Sequence, residues 1–185
     1  EMLNILEKPD VEPALKKLLL PLIADRRVPG SEPVILQSAG DTDPECRIAA
    51  IKSLIEQPKA EIFETVLQLL PNAASDEERK LFEELILKIV SLNPEETEKR
   101  LESLSAMLDT KPALPVQTVI LRVLARSGNS AGLEKIKSLI NVNTEPERLN
   151  AALDALNEWN NDTPVPFLLD FARANLQLPQ RDKLL

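Results

Sequence analysis

Two stretches of the chain read almost alike: DTDPECRIAAIKSLIEQ over 41–57 and NTEPERLNAALDALNEW over 143–159. They align without a gap at a separation of 102 residues and share Thr, Pro-Glu, Ala-Ala, Leu and a later Glu. Three equal periods within that distance make a unit of 34 residues, with intermediate starts at 75 and 109, where SDEE and DTKP stand. Four starts on one ruler identify a repeat protein. This constrains the fold more than any other feature, because a short repeat cannot bury its apolar side alone and must stack on its neighbours.

Each repeat reads as two helices. First helices are expected at about 44–57, 76–91, 112–127 and 145–159, and second helices at about 60–70, 94–108, 130–141 and 164–176. Proline stands at or near several starts, where its missing N–H removes no helical hydrogen bond. Asp43 or Thr42, Ser75 or Asp76, and Thr144 can cap the first helices, and Asn93 and Thr163 the second ones. Apolar residues recur at helical spacing in Ile48, Ile51, Leu54 and Ile55, in Phe63, Val66, Leu67 and Leu70, and again in Val119, Ile120, Val123 and Leu124. Aromatics are only 3% of the chain, so a core of Leu, Ile, Val and Ala is expected, which suits helix-on-helix packing.

The organisation that follows is one array: an irregular repeat over about 7–40, repeats at 41–74, 75–108, 109–142 and 143–176, and a truncated repeat at 177–185. The irregular repeat offers a helix from about Val11 to Arg26 and a shorter one over 31–39. The cut last repeat reads as the edge of a longer array or a larger protein. The longest apolar run, Leu18 to Ala24, is interrupted by Pro21. No stretch is apolar enough to span a membrane.

In DTDPECRIAAIKSL the motif resembles the first helix of the HEAT-like repeat, which commonly reads Asp-x-Asp-Pro-Glu-Val-Arg-x-Ala-Ala-x-x-Ala-Leu. Asp41, Asp43, Pro44, Glu45, Arg47, Ala49, Ala50 and Leu54 match in register, while Cys46 replaces Val and Ser53 replaces Ala. The copy at 143 keeps Pro146, Glu147, Ala151, Ala152, Ala155 and Leu156 but has Leu149 where Arg would stand. The resemblance implies an all-α fold, a right-handed α-α superhelix (an armadillo-like α-solenoid) of about four to five helical hairpins. It also implies a fragment of a larger bacterial-type HEAT-repeat protein, with second helices lining a concave, binding side. The tetratricopeptide repeat shares the 34-residue period, but its Trp, Leu-Gly and Tyr marks are missing.

The chemistry in the sequence is sparse. There is no histidine, which removes Ser-His-Asp and Cys-His arrangements and the common zinc sites. Cys46 falls in a helix first turn, where a thiolate is favoured, but it occupies a position that is normally a core Val, so burial is expected. Carboxylate pairs at Glu95-Glu96 and Glu83-Glu84, and the cluster Asp76 to Glu78, read as solvated charge at helix starts or on polar faces. Trp159 reads as packing against a neighbouring repeat. No enzyme, cofactor or metal is expected. The formal net charge of -8 disfavours nucleic acid as a partner, and the basic groove of HEAT-like alkyl-base DNA glycosylases is lacking.

What remains is a surface. Helical spacing sets Glu61, Glu64 and Gln68 opposite the apolar stripe of their helix, and does the same for Lys99 and Glu102, Glu134 and Ser138, and Asp170 and Arg173. If second helices line the concave side, these nine residues form a mostly acidic ribbon. The expected function is a non-catalytic scaffold that binds a protein partner there. The alternative is an accessory domain that positions an enzyme's catalytic domain lying elsewhere, making a neighbouring domain of the same chain the partner.

Overall fold

The structure, a computed structural model, describes residues 2–8, 11–141 and 144–175. Among these residues every regular element is helical: α1 (Met2–Leu6), α2 (Pro13–Asp25), α3 (Glu32–Ala39), α4 (Pro44–Glu56), α5 (Phe63–Leu69, with a 3-10 turn on each side), α6 (Asp76–Leu92), α7 (Pro94–Asp109), α8 (Leu114–Ser127), α9 (Ser130–Leu139), α10 (Pro146–Asn157) and α11 (Val165–Ala174). No helix among them is long and apolar enough to cross a membrane. The truncated repeat expected at 177–185 lies outside the described residues.

Helix starts follow the local chemistry, with instructive exceptions. Asp43 caps α4 by accepting from the Cys46 amide at 2.9 Å, and Ser75 caps α6 by accepting from the Glu78 amide at 3.1 Å. Thr144 does not cap; its hydroxyl donates back to the Leu139 carbonyl, and Glu145 takes the cap position without a side-chain bond. Thr163 also fails as a cap, since α11 starts one residue later than Pro164. Asn93 ends α6 in an extended conformation that separates it from α7. DTKP opens no helix either: Asp109 is the last residue of α7, Lys111 exits at φ 53°, and α8 waits for Leu114-Pro115.

The expected first helices, counting α2, therefore begin at residues 13, 44, 76, 114 and 146, at intervals of 31, 32, 38 and 32. The 102 residues from 44 to 146 are those seen in sequence, but they divide unevenly. The long interval holds the 16-residue α7 and the extended link after it.

The chain forms two compact lobes, Glu1–Thr97 and Glu98–Leu185. In the N-terminal lobe α2, α4 and α6 pack side by side and parallel. The Cys46 thiol at the start of α4 donates to the Pro13 carbonyl at the start of α2, and Gln57 just past the end of α4 donates to the Ala24 carbonyl near the end of α2. One step on, Arg47 meets Glu78 at the start of α6, and Lys88 donates to the Ile55 carbonyl at the end of α4. The core beneath holds Leu20, Ile23, Ile51, Leu54, Phe63, Val66, Phe82, Leu85 and Ile86, all buried. The C-terminal lobe pairs α8 with α10 and sets α9 against both. Its core holds Leu101, Leu104, Ile120, Leu124, Ile136, Leu153 and Trp159, the last as expected a packed side chain.

Candidate functional site

The nine ribbon residues are all exposed. Glu61, Glu64 and Gln68 lie on α5 and the turn before it in the N-terminal lobe; the other six lie in the C-terminal lobe on α7, α9 and α11. Several are tied within their own helices. Glu134 pairs with Lys137 at 2.8 Å, Asp170 with Arg173 at 3.6 Å, and the Ser138 hydroxyl donates to the Lys135 carbonyl at 2.7 Å. Glu102 faces a depression. It shares a shallow groove of about 390 Å³ between α7 and α9 with Glu98, Ser105, Asp109 and Lys135, across which Lys135 meets Asp109 at 2.5 Å. Lys137 also sits over the Phe167 ring of α11, 5.6 Å from its centre.

A larger depression lies where the sequence drew no attention. On the outer side of the α2, α4 and α6 layer a trough of about 760 Å³ has a floor of small side chains, Ala24, Ala49 and Ser53, with Pro21 and Ile48 on its walls. Ile48 is therefore not core; it is half-buried, while Ile51, Leu54 and Ile55 are buried. Charged groups line the rim. Lys17 reaches across to Glu45, and Lys52 pairs with Glu77 at 3.1 Å. The bond from Glu45 holds the Lys17 ammonium above its ordinary range. Asp25 and Glu56 complete the rim at its other end, and no hydrogen bond or ion pair engages either carboxylate among the described residues. The signal for the trough was the recurrence of Ala24, Ala49 and Ser53 on facing helix sides, which becomes visible only once α2 and α4 are known to lie parallel.

Cys46 is buried, and burial, followed by the Asp43 and Asp41 carboxylates, pushes its thiol up to about 11. At neutral pH it is a protonated packing side chain, so the favourable helix-start position is overridden. Glu78 and Glu83 are buried rather than solvated. Glu78 receives Arg47 in a two-pronged bond at 2.7 and 3.4 Å and also accepts from the Ala74 amide. Arg47 ties the turn before α4 as well, donating to the Asp41 and Thr42 carbonyls at 3.0 Å each. In the C-terminal lobe Arg148, one residue before Leu149, reaches back to Gln117 on α8 and to the Pro112 carbonyl. Both fastenings join residues 31 apart, but with the Arg on the earlier helix in one lobe and on the later helix in the other.

Among the described residues no three or more His, Cys, Asp or Glu side chains are grouped to hold a metal ion. Compared with known proteins, the chain matches no family model and no curated protein.

Proposed function

We propose that the chain is a HEAT-like array of helical hairpins that acts as a non-catalytic scaffold and engages a protein partner through the exposed side chains of its second helices. The observation that supports this reading is that in each lobe neighbouring first helices are joined by an Arg across 31 residues, from the earlier helix in one lobe and the later in the other, while the outward residues of the second helices stay exposed. Stacked repeats of this kind present long surfaces rather than closed pockets, and binding is what such surfaces serve. The exposed acidic residues of the second helices, Glu61 and Glu64 in one lobe and Glu102, Glu134 and Asp170 in the other, favour a partner with a basic patch, since complementary charge steers encounter and sets orientation.

The test is partner capture from lysate by the wild-type chain beside a variant carrying Glu64→Lys, Glu102→Lys, Glu134→Lys and Asp170→Lys, with circular dichroism to verify folding. The expected result is a protein retained by the wild type and weakened at least about tenfold by the variant. Equal retention by both would sink the ribbon as a binding face.

A further inference from the structure

A smaller cavity of the N-terminal lobe lies where α2 ends and α3 begins, with a volume of about 220 Å³. Pockets for drug-sized ligands start at roughly 300 Å³, so this one suits a small ion or a single chemical group. Ser31, the residue before α3, lines it and is 6% exposed. Its hydroxyl caps no amide and makes no hydrogen bond among the described residues. The oxygen is nevertheless not sealed from solvent, and it opens into the cavity that Ser31 lines. A buried polar group without a partner is costly, so this hydroxyl is satisfied by whatever enters the cavity.

Two further kinds of donor meet it there. The first-turn amides of Glu32 and Val34 have no backbone partner, and the dipole of α3 adds positive potential at this end. From the end of α2 comes Arg27, which lines the same cavity and whose guanidinium engages no carboxylate or carbonyl among the described residues. Arg27 is left-handed at φ 48°, in the place after a helix where glycine is usual. The turn is locked by the Arg27 amide donating to the Ala24 carbonyl at 2.9 Å and the Val28 amide to the Ile23 carbonyl at 3.1 Å. Lys59 and Glu32 are the other charged groups of the lining, and they pair with each other at 2.5 Å. Asp25 and Glu56 line the neighbouring trough instead. Arg27 is therefore left as the uncompensated charge, and it is positive.

We propose that this cavity binds a phosphate-type oxyanion, held by the Arg27 guanidinium, the Ser31 hydroxyl and the amides that open α3. A helix start with free amides is suited to such an anion, and the guanidinium fork matches two of its oxygens. A tetrahedral anion still has oxygens left for the hydroxyl and the amides, whereas a carboxylate spends both on the fork. No ribbon residue lines the cavity, so this proposal and the scaffold reading stand or fall independently.

The test is an amide NMR titration of the full chain with inorganic phosphate at neutral pH, with sodium chloride holding the ionic strength constant. Saturable shifts of the Ser31, Glu32 and Val34 amides are expected, half-complete at about 1 mM. Arg27→Gly removes the guanidinium while relaxing the left-handed turn, and Ser31→Ala removes a hydroxyl that holds no bond within the chain, so both variants should fold. Each should weaken binding at least about fivefold, and the ribbon variant should leave it unchanged. Glycerol phosphate separates the two sources of such an anion. Tighter binding than inorganic phosphate assigns the site to a phosphoryl group of a larger molecule, and equal or weaker binding assigns it to the free ion. No saturation by about 50 mM phosphate overturns the proposal, as do equal shifts with acetate. So do saturable shifts spread evenly over the other helix starts, or an affinity that either variant leaves unchanged.

Discussion

The Arg47 guanidinium donates to two carbonyls of the turn before α4 and grips a carboxylate on α6 that is 1% exposed. Removing one partner of such a buried pair strands the other charge away from water, which costs far more than the pair itself is worth. Arg47→Ala is expected to destabilise the N-terminal lobe by about 3 kcal/mol, and Arg47→Lys to recover little, because an ammonium cannot reproduce the fork. Urea unfolding of the three proteins measures this; a loss below about 1 kcal/mol would show the pair to be dispensable. Arg47 itself was legible as a motif residue. Its partner was not: Glu78 lies in an acidic helix start that reads as solvated, and only the packing of α4 on α6 brings residues 31 apart together.

Among the helices, capping chemistry was readable where an Asp or Ser directly precedes a helix, and misread where the helix starts one residue later than the spacing suggests. Thr144 shows why: α10 begins at Pro146 with Glu145 in the cap position, so Thr144 stands one residue too early, and its hydroxyl donates to the Leu139 carbonyl at 3.1 Å instead. Asn129, unmarked in the sequence, caps α9 by accepting from the Ala131 and Gly132 amides. The turn just before it is crowded. Gly128 ends α8 at φ 64°, and a Cβ there would stand 2.8 Å from the Asn160 side chain. Gly128→Ala combines left-handed backbone cost with displacement of Asn160 and should destabilise the C-terminal lobe by about 1–2 kcal/mol. A combined Gly128→Ala, Asn160→Ala protein should regain the steric part only. Thermal unfolding of the single and double variants separates the two contributions, and a fully restored midpoint would deny any backbone strain.

At the scale of the molecule, acid should act through carboxylates that the fold holds ionised. The Cys46 amide bond keeps Asp43 below its ordinary value of 3.8, and the Arg79 bond does the same for Asp76. Burial raises Asp41, but the bonds from Lys16 and from the Asp43 amide outweigh it and leave it lowered too. A carboxylate depressed by folding stabilises the native state above its unfolded value, and that contribution is lost as pH falls through the folded one. The urea midpoint is therefore expected to drop between pH 5 and 2, less steeply for Asp43→Ala. A midpoint constant or rising across that range would contradict the assignment.

The sequence by itself determined that the chain is helical, and placed most of its helices to within a few residues. Proline and cap residues act locally on free amides, and apolar spacing repeats within a dozen residues, so both are written along the chain. It also carried the 102-residue recurrence, though not the uneven intervals of 31, 32, 38 and 32, because a length of link is invisible until the helices on either side are placed. The tertiary structure alone decided which charges are buried, which Arg fastens which helix, and that Ile48 leaves the core for a trough wall. Those outcomes depend on which faces of α2, α4 and α6 meet, and contacts between residues some thirty positions apart are set by packing rather than by local sequence.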